Sequence, residues 1–238
     1  MMEIPRTFYI YCRNEYAELE GPKPVNGSDL EYINDPMLAL ATEFADRKIT
    51  ITGKFKSVVA IDSLCIGNTN AISYELHLGP HCISGSIEGI ITVYNFDATV
   101  FTDSFSLELN GLDPLFLGHL FFGQRTCLPR FAPEAEGGIM LTSEGSRSFG
   151  GQAFGIRRIT LENFSVNFPR LSAEEREIIV EYVQSVLNVE PHVIDPYPQA
   201  RDYFPPRYVT LNTGEISLPR RNENGFYYSG SLSWQEAR

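Results

Sequence analysis

The chain has 238 residues, of which 43% are hydrophobic and 12% aromatic, enough apolar material to bury a core and to exclude disorder as its default state. Thirty acidic side chains against 19 basic ones leave a formal charge of −11, and a surface of that sign repels phosphate backbones, so nucleic acid is set aside as a partner. No apolar run approaches the ~20 residues of a membrane-crossing helix, and Met1-Met2-Glu3-Ile4-Pro5-Arg6 is not a basic-then-apolar export signal.

Residues 1–24 mix Tyr, Arg and Glu and end in Gly21-Pro22-Lys23-Pro24, which reads as an N-terminal arm or first strand followed by a linker. Residues 25–238 then form the main domain. Asp35-Pro36 has the form of a helix start, with Asp as N-cap and Pro at the first helical position, whereas Met37 to Phe44 fits an extended segment equally well. From Lys48 onward short β-branched runs dominate: Ile49 and Ile51, then Val58, Val59 and Ile61, punctuated by Gly53 and Gly67. Further runs follow at Ile72–Leu78, Gly89–Tyr94, Ser104–Leu109, Leu115–Phe122 and Gly138–Thr142. Many short strands separated by Gly, Asn, Asp and Pro predict a mainly β protein, an antiparallel sandwich or jelly roll.

Between Ile159 and Phe168 the apolar parity changes, from Ile159 and Leu161 to Phe164, Val166 and Phe168. A β-bulge near Glu162-Asn163 would restore one buried face of a long strand. Ser172-Ala173-Glu174-Glu175 is a capping box, and Ile179, Tyr182, Val183, Val186 and Leu187 recur at helical spacing, so one amphipathic helix is expected over 173–187. Prolines at 191, 196, 198, 205 and 206 predict an extended segment over 190–206 that lies on a surface and does not pair centrally. The closing strand spans 225–236: Phe226, Tyr228, Leu232 and Trp234 share one parity and Ser229, Ser231 and Ser233 the other.

No polar constellation in the sequence has the spacing of a catalytic, cofactor or metal site, so a protein without enzymatic activity or cofactor is expected. Cys12, Cys65, Cys82 and Cys127 form no Cys-x-x-Cys or Cys/His pattern, which points to free thiols in a reducing cytoplasm. His77 and His81 flank a turn at Gly79-Pro80 and read as exposed turn residues; His119, in a very apolar run, reads as a satisfied core or interface histidine. Asp62, Asn68 and Asn70 lie on a strand and an Asn-rich tip, where their oxygens could meet a cation or sugar hydroxyls, or stabilise the turn itself. Every lysine lies at or before Lys56, and arginine supplies all later positive charge, a bias that suits protein–protein contacts as well as codon usage.

Asp62-Ser63-Leu64 leading into Ile66-Gly67-Asn68-Thr69-Asn70 resembles the strand and loop of galactose-binding-like (discoidin-type) β-sandwiches in tailed-bacteriophage tail proteins. Leu117–Gly123 with Leu128-Pro129, the strand at 159–168 followed by Leu171–Glu175, and the ending Tyr227–Ser233 with Glu236 are similar to segments of the same distal-tail-type proteins. The resemblance implies a minor tail, tail-tip or baseplate structural protein, located in the virion and made in the host cytoplasm. It also implies a homo-oligomer that contacts other tail or baseplate proteins. Interface anchors are then sought among aromatic and Arg residues: Arg207, Tyr208, Tyr227, Tyr228 and Trp234. The alternative is a carbohydrate-binding module for host-surface glycans, with Asp62, Asn68 and Asn70 in contact with the sugar.

Overall fold

The computed structural model describes residues 8–12, 15–33, 41–132, 136–141, 144–147, 153–156, 160–186, 190–212, 219–221 and 227–237. In chain order the strands begin with β1 (Phe8–Tyr11), β2 (Tyr16–Glu20), β3 (Thr42–Phe44), β4 (Lys48–Thr69), β5 (Ala71–Leu78) and β6 (His81–Ser86). They continue with β7 (Ile91–Gly111), β8 (Leu115–Gly123), β9 (Thr126–Leu128), β10 (Glu136–Leu141), β11 (Glu144–Arg147), β12 (Ala153–Ile156) and β13 (Thr160–Leu171). Helix α1 (Ala173–Val186) precedes β14 (His192–Asp195), β15 (Arg207–Leu211), β16 (Arg220–Arg221) and β17 (Tyr227–Glu236). The chain divides into two units, one of residues 1–127 with 192–208, the other of residues 128–191 with 209–237. Among the described residues no helix is long and apolar enough to cross a membrane.

The first unit is an antiparallel β-sandwich made from one sheet that folds over itself. Its strand order is β3-β8-β4-β7-β5-β6, with β2 added along β4. Strands β4 and β7 run for 22 and 21 residues, so the short runs expected on either side of Gly53 and Gly67 are in fact continuous. Neither glycine ends a strand. Gly53 pairs with Phe105, and a Cβ there would land on the Phe105 ring; at Gly67 it would meet Ile91 Cγ1 at 3.2 Å. Glycine inside these ladders marks close approach, not a turn.

Along β4, Ile49, Ile51, Gly53 and Phe55 are buried, while Thr50, Thr52, Lys54 and Lys56 are exposed. Register shifts between Lys54 and Val59 and between Ile61 and Ser63 then break the alternation, and Leu64 and Ile66 join the same core from the other parity. Such irregularities bend a strand and carry it from one layer to the next. The closure is visible in the rings of Phe105 (opposite Gly53) and Phe122 (opposite Leu64), whose centroids lie 4.0 Å apart.

A further layer, in which β1 lies between β14 and β9, covers the outer side of β8 and the second half of β4. β1 pairs with β14 in the register Tyr9↔Asp195, Ile10↔Ile194, Tyr11↔Val193, and the Tyr11 ring meets Phe121 edge-on at 5.8 Å. Residues 192–195 are fully buried and paired, which corrects, for these four residues, the expectation that 190–206 lies on a surface and does not pair centrally. Pro191 and Pro196 bracket this strand without interrupting it, so every residue from His192 to Asp195 keeps its N–H for the ladder. Residues 8–11 and 16–20, inside the expected arm, are strands of this unit.

In the second unit β13 pairs with β10 on one side and β17 on the other, and β16 and Val209–Leu211 also pair with β17. β11 and β12 form a separate hairpin. The register of β13 is regular through Glu162 and Asn163, so the bulge is not there; it lies between Phe168 and Leu171. Pro169 has no N–H to give the ladder, and the shift lets Phe168 and Leu171, of opposite parity, both be buried. The helix starts as expected: Ser172 N–H donates to Glu175 Oε2 at 2.7 Å, and Glu175 N–H to Ser172 Oγ at 3.1 Å. Ile179, Tyr182 and Val186 are its buried face, and Val183 is half-buried. Leu187, Phe226 and Asp35-Pro36 lie outside the described residues.

The closing strand buries Leu232 and Trp234 as its alternation requires. Trp234 is fully enclosed, donating from Nε1 to the Tyr182 hydroxyl at 2.7 Å and lying 6.0 Å from the Phe164 ring. It is a core residue of this unit, which removes it from the interface anchors: an indole with its N–H satisfied internally has nothing left to offer a partner. The Gly53–Phe105 contact is directly testable. Gly53→Ala is expected to cost about 1–3 kcal/mol in urea denaturation and markedly less in a Phe105→Leu background; equal costs in both would refute the contact.

Candidate functional site

The outer face of the first unit's sheet carries a groove. Cross-strand register sets Glu20, Thr52, Ser106, His77 and Cys82 in one row over β2, β4, β7, β5 and β6, and Glu18, Lys54 and Ser104 in the next. These side chains point outward because Ile51, Phe105, Leu107, Leu76 and Leu78, their chain neighbours, fill the core. In the first row β4 and β7 carry the short hydroxyls of Thr52 and Ser106 and the strands beside them the longer Glu20 and His77, and here lies a cavity of ≈ 320 Å³ whose lining includes Glu18, Glu20, Lys54, His77 and Ser106. The wall beyond His77 continues into Glu75, whose Oε1 is 2.9 Å from His77 Nε2, and into the Cys82 thiol, 3.6 Å from the same oxygen. The expectation of exposed histidines at this turn agrees with the exposure of His77 and His81.

Asp62, Asn68 and Asn70 do not meet. Asp62 and Asn68 are six residues apart on β4, roughly 20 Å at the rise of a strand. Asp62 is engaged locally: its Oδ1 accepts from Arg125 N at 2.9 Å and from Ser63 Oγ at 2.6 Å. Asn70 braces the turn between β7 and β8, donating from Nδ2 to Pro114 O at 2.7 Å and accepting at Oδ1 from Phe116 N at 2.9 Å. Asn68 adopts φ 49°, the left-handed region that Asn tolerates, and its side chain fills the space over Gly118. Turn stabilisation accounts for Asn68 and Asn70 without a ligand.

Of the expected anchors, Tyr208 is buried, with His119 edge-on to its ring at 4.8 Å, so it too is removed from the surface set by packing. Arg207 is half-buried. Tyr228 is half-buried under the Arg176 guanidinium, 5.2 Å from the ring centre, and Tyr227 pairs with Arg221 at the start of β17.

Inside the first unit lies a second polar group that the sequence did not show. Asp195, fully buried on β14, receives Arg201 Nε at 3.0 Å and Nη2 at 2.6 Å on Oδ2, while Arg201 Nη1 donates to Val93 O at 2.8 Å. Burial raises the Asp195 carboxyl above its usual range, and Arg201 opposes the rise. Burial likewise pushes up the Tyr11 phenol, whose hydroxyl donates to Asn95 Oδ1 at 3.0 Å, and the Cys65 thiol. A buried thiol held protonated is a poor nucleophile. The four cysteines form no disulfide.

His119 is a core residue, as expected, but not a satisfied one: neither ring nitrogen meets a hydrogen-bond partner among the described residues. Burial lowers its pKa from 6.5 to about 4. The folded-state value lies below the unfolded one, so on acidification the unfolded chain takes up the proton first. The neutral ring's share of stability is therefore complete above pH 6.5 and is lost as pH falls towards 4, a change of roughly 3 kcal/mol. His119→Leu should sit within about 1 kcal/mol of wild type near neutrality, since an apolar group replaces an unpaired polar one. On moving from about pH 7 to about pH 4.5, wild type should lose roughly 2–3 kcal/mol more than the variant in urea titrations, and parallel losses would show the ring to be solvated.

No protein-family model matches the chain, and no curated protein matches its sequence. Solved structures similar to it include CpGH89CBM32-6 produced by Clostridium perfringens, at 9% identity and a TM-score of 0.38, covering 45% of this chain and 92% of that one. The CBM32 of AlyQ in complex with 4,5-unsaturated mannuronic acid matches at 12% identity and a TM-score of 0.39, over 48% of this chain and 96% of that one. Reduced XRCC1 bound to the DNA pol beta catalytic domain matches at 11% identity and a TM-score of 0.40, over 47% and 97% of the respective chains.

Proposed function

We propose that this protein is a non-catalytic binding protein that takes a polyhydroxylated, carbohydrate-class ligand in the groove on its outer sheet face. The observation that carries the reading is the row of in-register polar side chains on a face whose opposite side is wholly core. A sugar surrenders many hydrogen bonds to water on binding and needs them replaced at similar density. The hydroxyls of Thr52, Ser104 and Ser106 both donate and accept, the carboxylates of Glu18 and Glu20 accept, and Lys54 donates. The ladder holds all of these on rigid strands, which lowers the entropic cost of binding. A non-catalytic role is supported by the placing of the buried groups with displaced titration: His119, Asp195, Cys65 and Tyr11 line the core, away from the groove.

The full chain should give selective signals on a glycan array, confirmed by calorimetry with the best ligand. Ser106→Phe, which fills the groove from a half-buried position on its floor, should weaken binding by more than about tenfold. A blank array, or binding untouched by Ser106→Phe, would end this reading.

A second reading is assembly through a partner surface, and it rests on exposed apolar side chains alone. Val58, Phe101, Ile90 and Tyr203 are 63%, 72%, 73% and 82% exposed, and Phe101 pairs with Ala60 on the strand that also carries Val58. Large apolar side chains held in solvent favour a partner surface. On this reading the chain sediments as an oligomer, and Phe101→Ser with Val58→Ser returns it to a monomer; a wild-type monomer at high concentration would argue against self-assembly.

A further inference from the structure

Glu75, His77 and Cys82 bring three different ligand types to one point on the β5–β6 hairpin. Their donor atoms all lie within 4.8 Å of one another. The convergence follows from the backbone. His77 and Cys82 are direct cross-strand partners, Glu75 stands two residues from His77 on the same face, and a two-residue turn at Gly79-Pro80, with Gly79 at φ 56°, fixes the register through Leu78↔His81. Donors on two hydrogen-bonded strands need little reorganisation to act together.

We infer that this hairpin holds a zinc-class divalent cation through the Cys82 thiolate, a His77 ring nitrogen and a Glu75 carboxylate oxygen. Thiolate and imidazole select a borderline-soft ion over magnesium or calcium, which want oxygen on every side. With Zn–S near 2.3 Å and Zn–N and Zn–O near 2.0 Å, a tetrahedral site separates S from O by about 3.5 Å and N from O by about 3.3 Å. The present Cys82 Sγ to Glu75 Oε1 separation is 3.6 Å and His77 Nε2 to Glu75 Oε1 is 2.9 Å, each within a few tenths of an ångström of those values, and the third edge, from Cys82 to His77, lies within 4.8 Å and closes to about 3.5 Å by rotation of exposed side chains. Three protein ligands leave one position open, and His77 also lines the groove. The inference concerns the metal alone and holds whether or not the groove takes a sugar.

The test uses the full chain, reduced and stripped of metal, titrated with zinc by calorimetry and with cobalt by absorbance. One zinc per chain and a near-ultraviolet thiolate-to-cobalt band are expected. Cys82→Ser should abolish the band, and Cys82→Ser, His77→Ala and Glu75→Gln should each weaken zinc by more than about tenfold. Cys127→Ser, which alters another exposed cysteine, should leave both signals intact. No zinc uptake, a band that survives Cys82→Ser, or a band lost in Cys127→Ser would overturn the site.

Discussion

Phe105 occupies the space that Gly53 leaves vacant and stacks on Phe122, and this packing is what closes a single bent sheet over its own core. The bends in β4 and β7 would be liabilities without it, since an open curved sheet exposes its apolar face to water. Fixing Phe105 inward also fixes Ser104 and Ser106 outward, because strand neighbours alternate faces. The floor of the groove is therefore a by-product of packing in the core. Binding geometry and stability share one origin here.

A different economy governs the layer formed by β1 and β14. Burying Asp195 in a strand is costly unless its charge is met, and Arg201 meets it with two donors while a third caps the Val93 carbonyl. A lysine could not serve, since its ammonium lacks the planar fork that reaches a carboxylate and a carbonyl together. The same arginine ties down the turn in which the Tyr197 and Phe204 rings pack at 4.7 Å. One polar side chain thus anchors a segment whose prolines prevent it from being held by a ladder.

What could be read from the sequence was local. The capping box of Ser172 and Glu175, the faces of α1 and the alternation at Leu232 and Trp234 each need only a few consecutive residues, and each appears in the structure. What escaped was relational. Gly53 and Gly67 look like punctuation until Phe105 and Ile91 are placed across from them. The aromatic parity of the closing strand marks a buried face, but not whether that face meets the chain's own helix or a partner, and Tyr182 decides it. The groove and the Glu75–His77–Cys82 trio depend on cross-strand register, which no single segment specifies. The antiparallel sandwich was legible because it needs only the count and spacing of strands.

The interleaving of the two units has a consequence for how the protein is made. Val93 and Arg201 are 108 residues apart, and the first unit waits for residues 192–208 just as the second waits for 209–237. A nascent chain emerging from the ribosome lacks a whole first unit until residues 192–208 are out and a whole second unit until 209–237 are, and meanwhile the outer flank of Phe121 and Cys65 has no cover from β14. Each unit is thereby left waiting after most of its strands are made, and a chaperone able to shield a bare sheet gains a role that a sequentially organised two-domain protein would not give it.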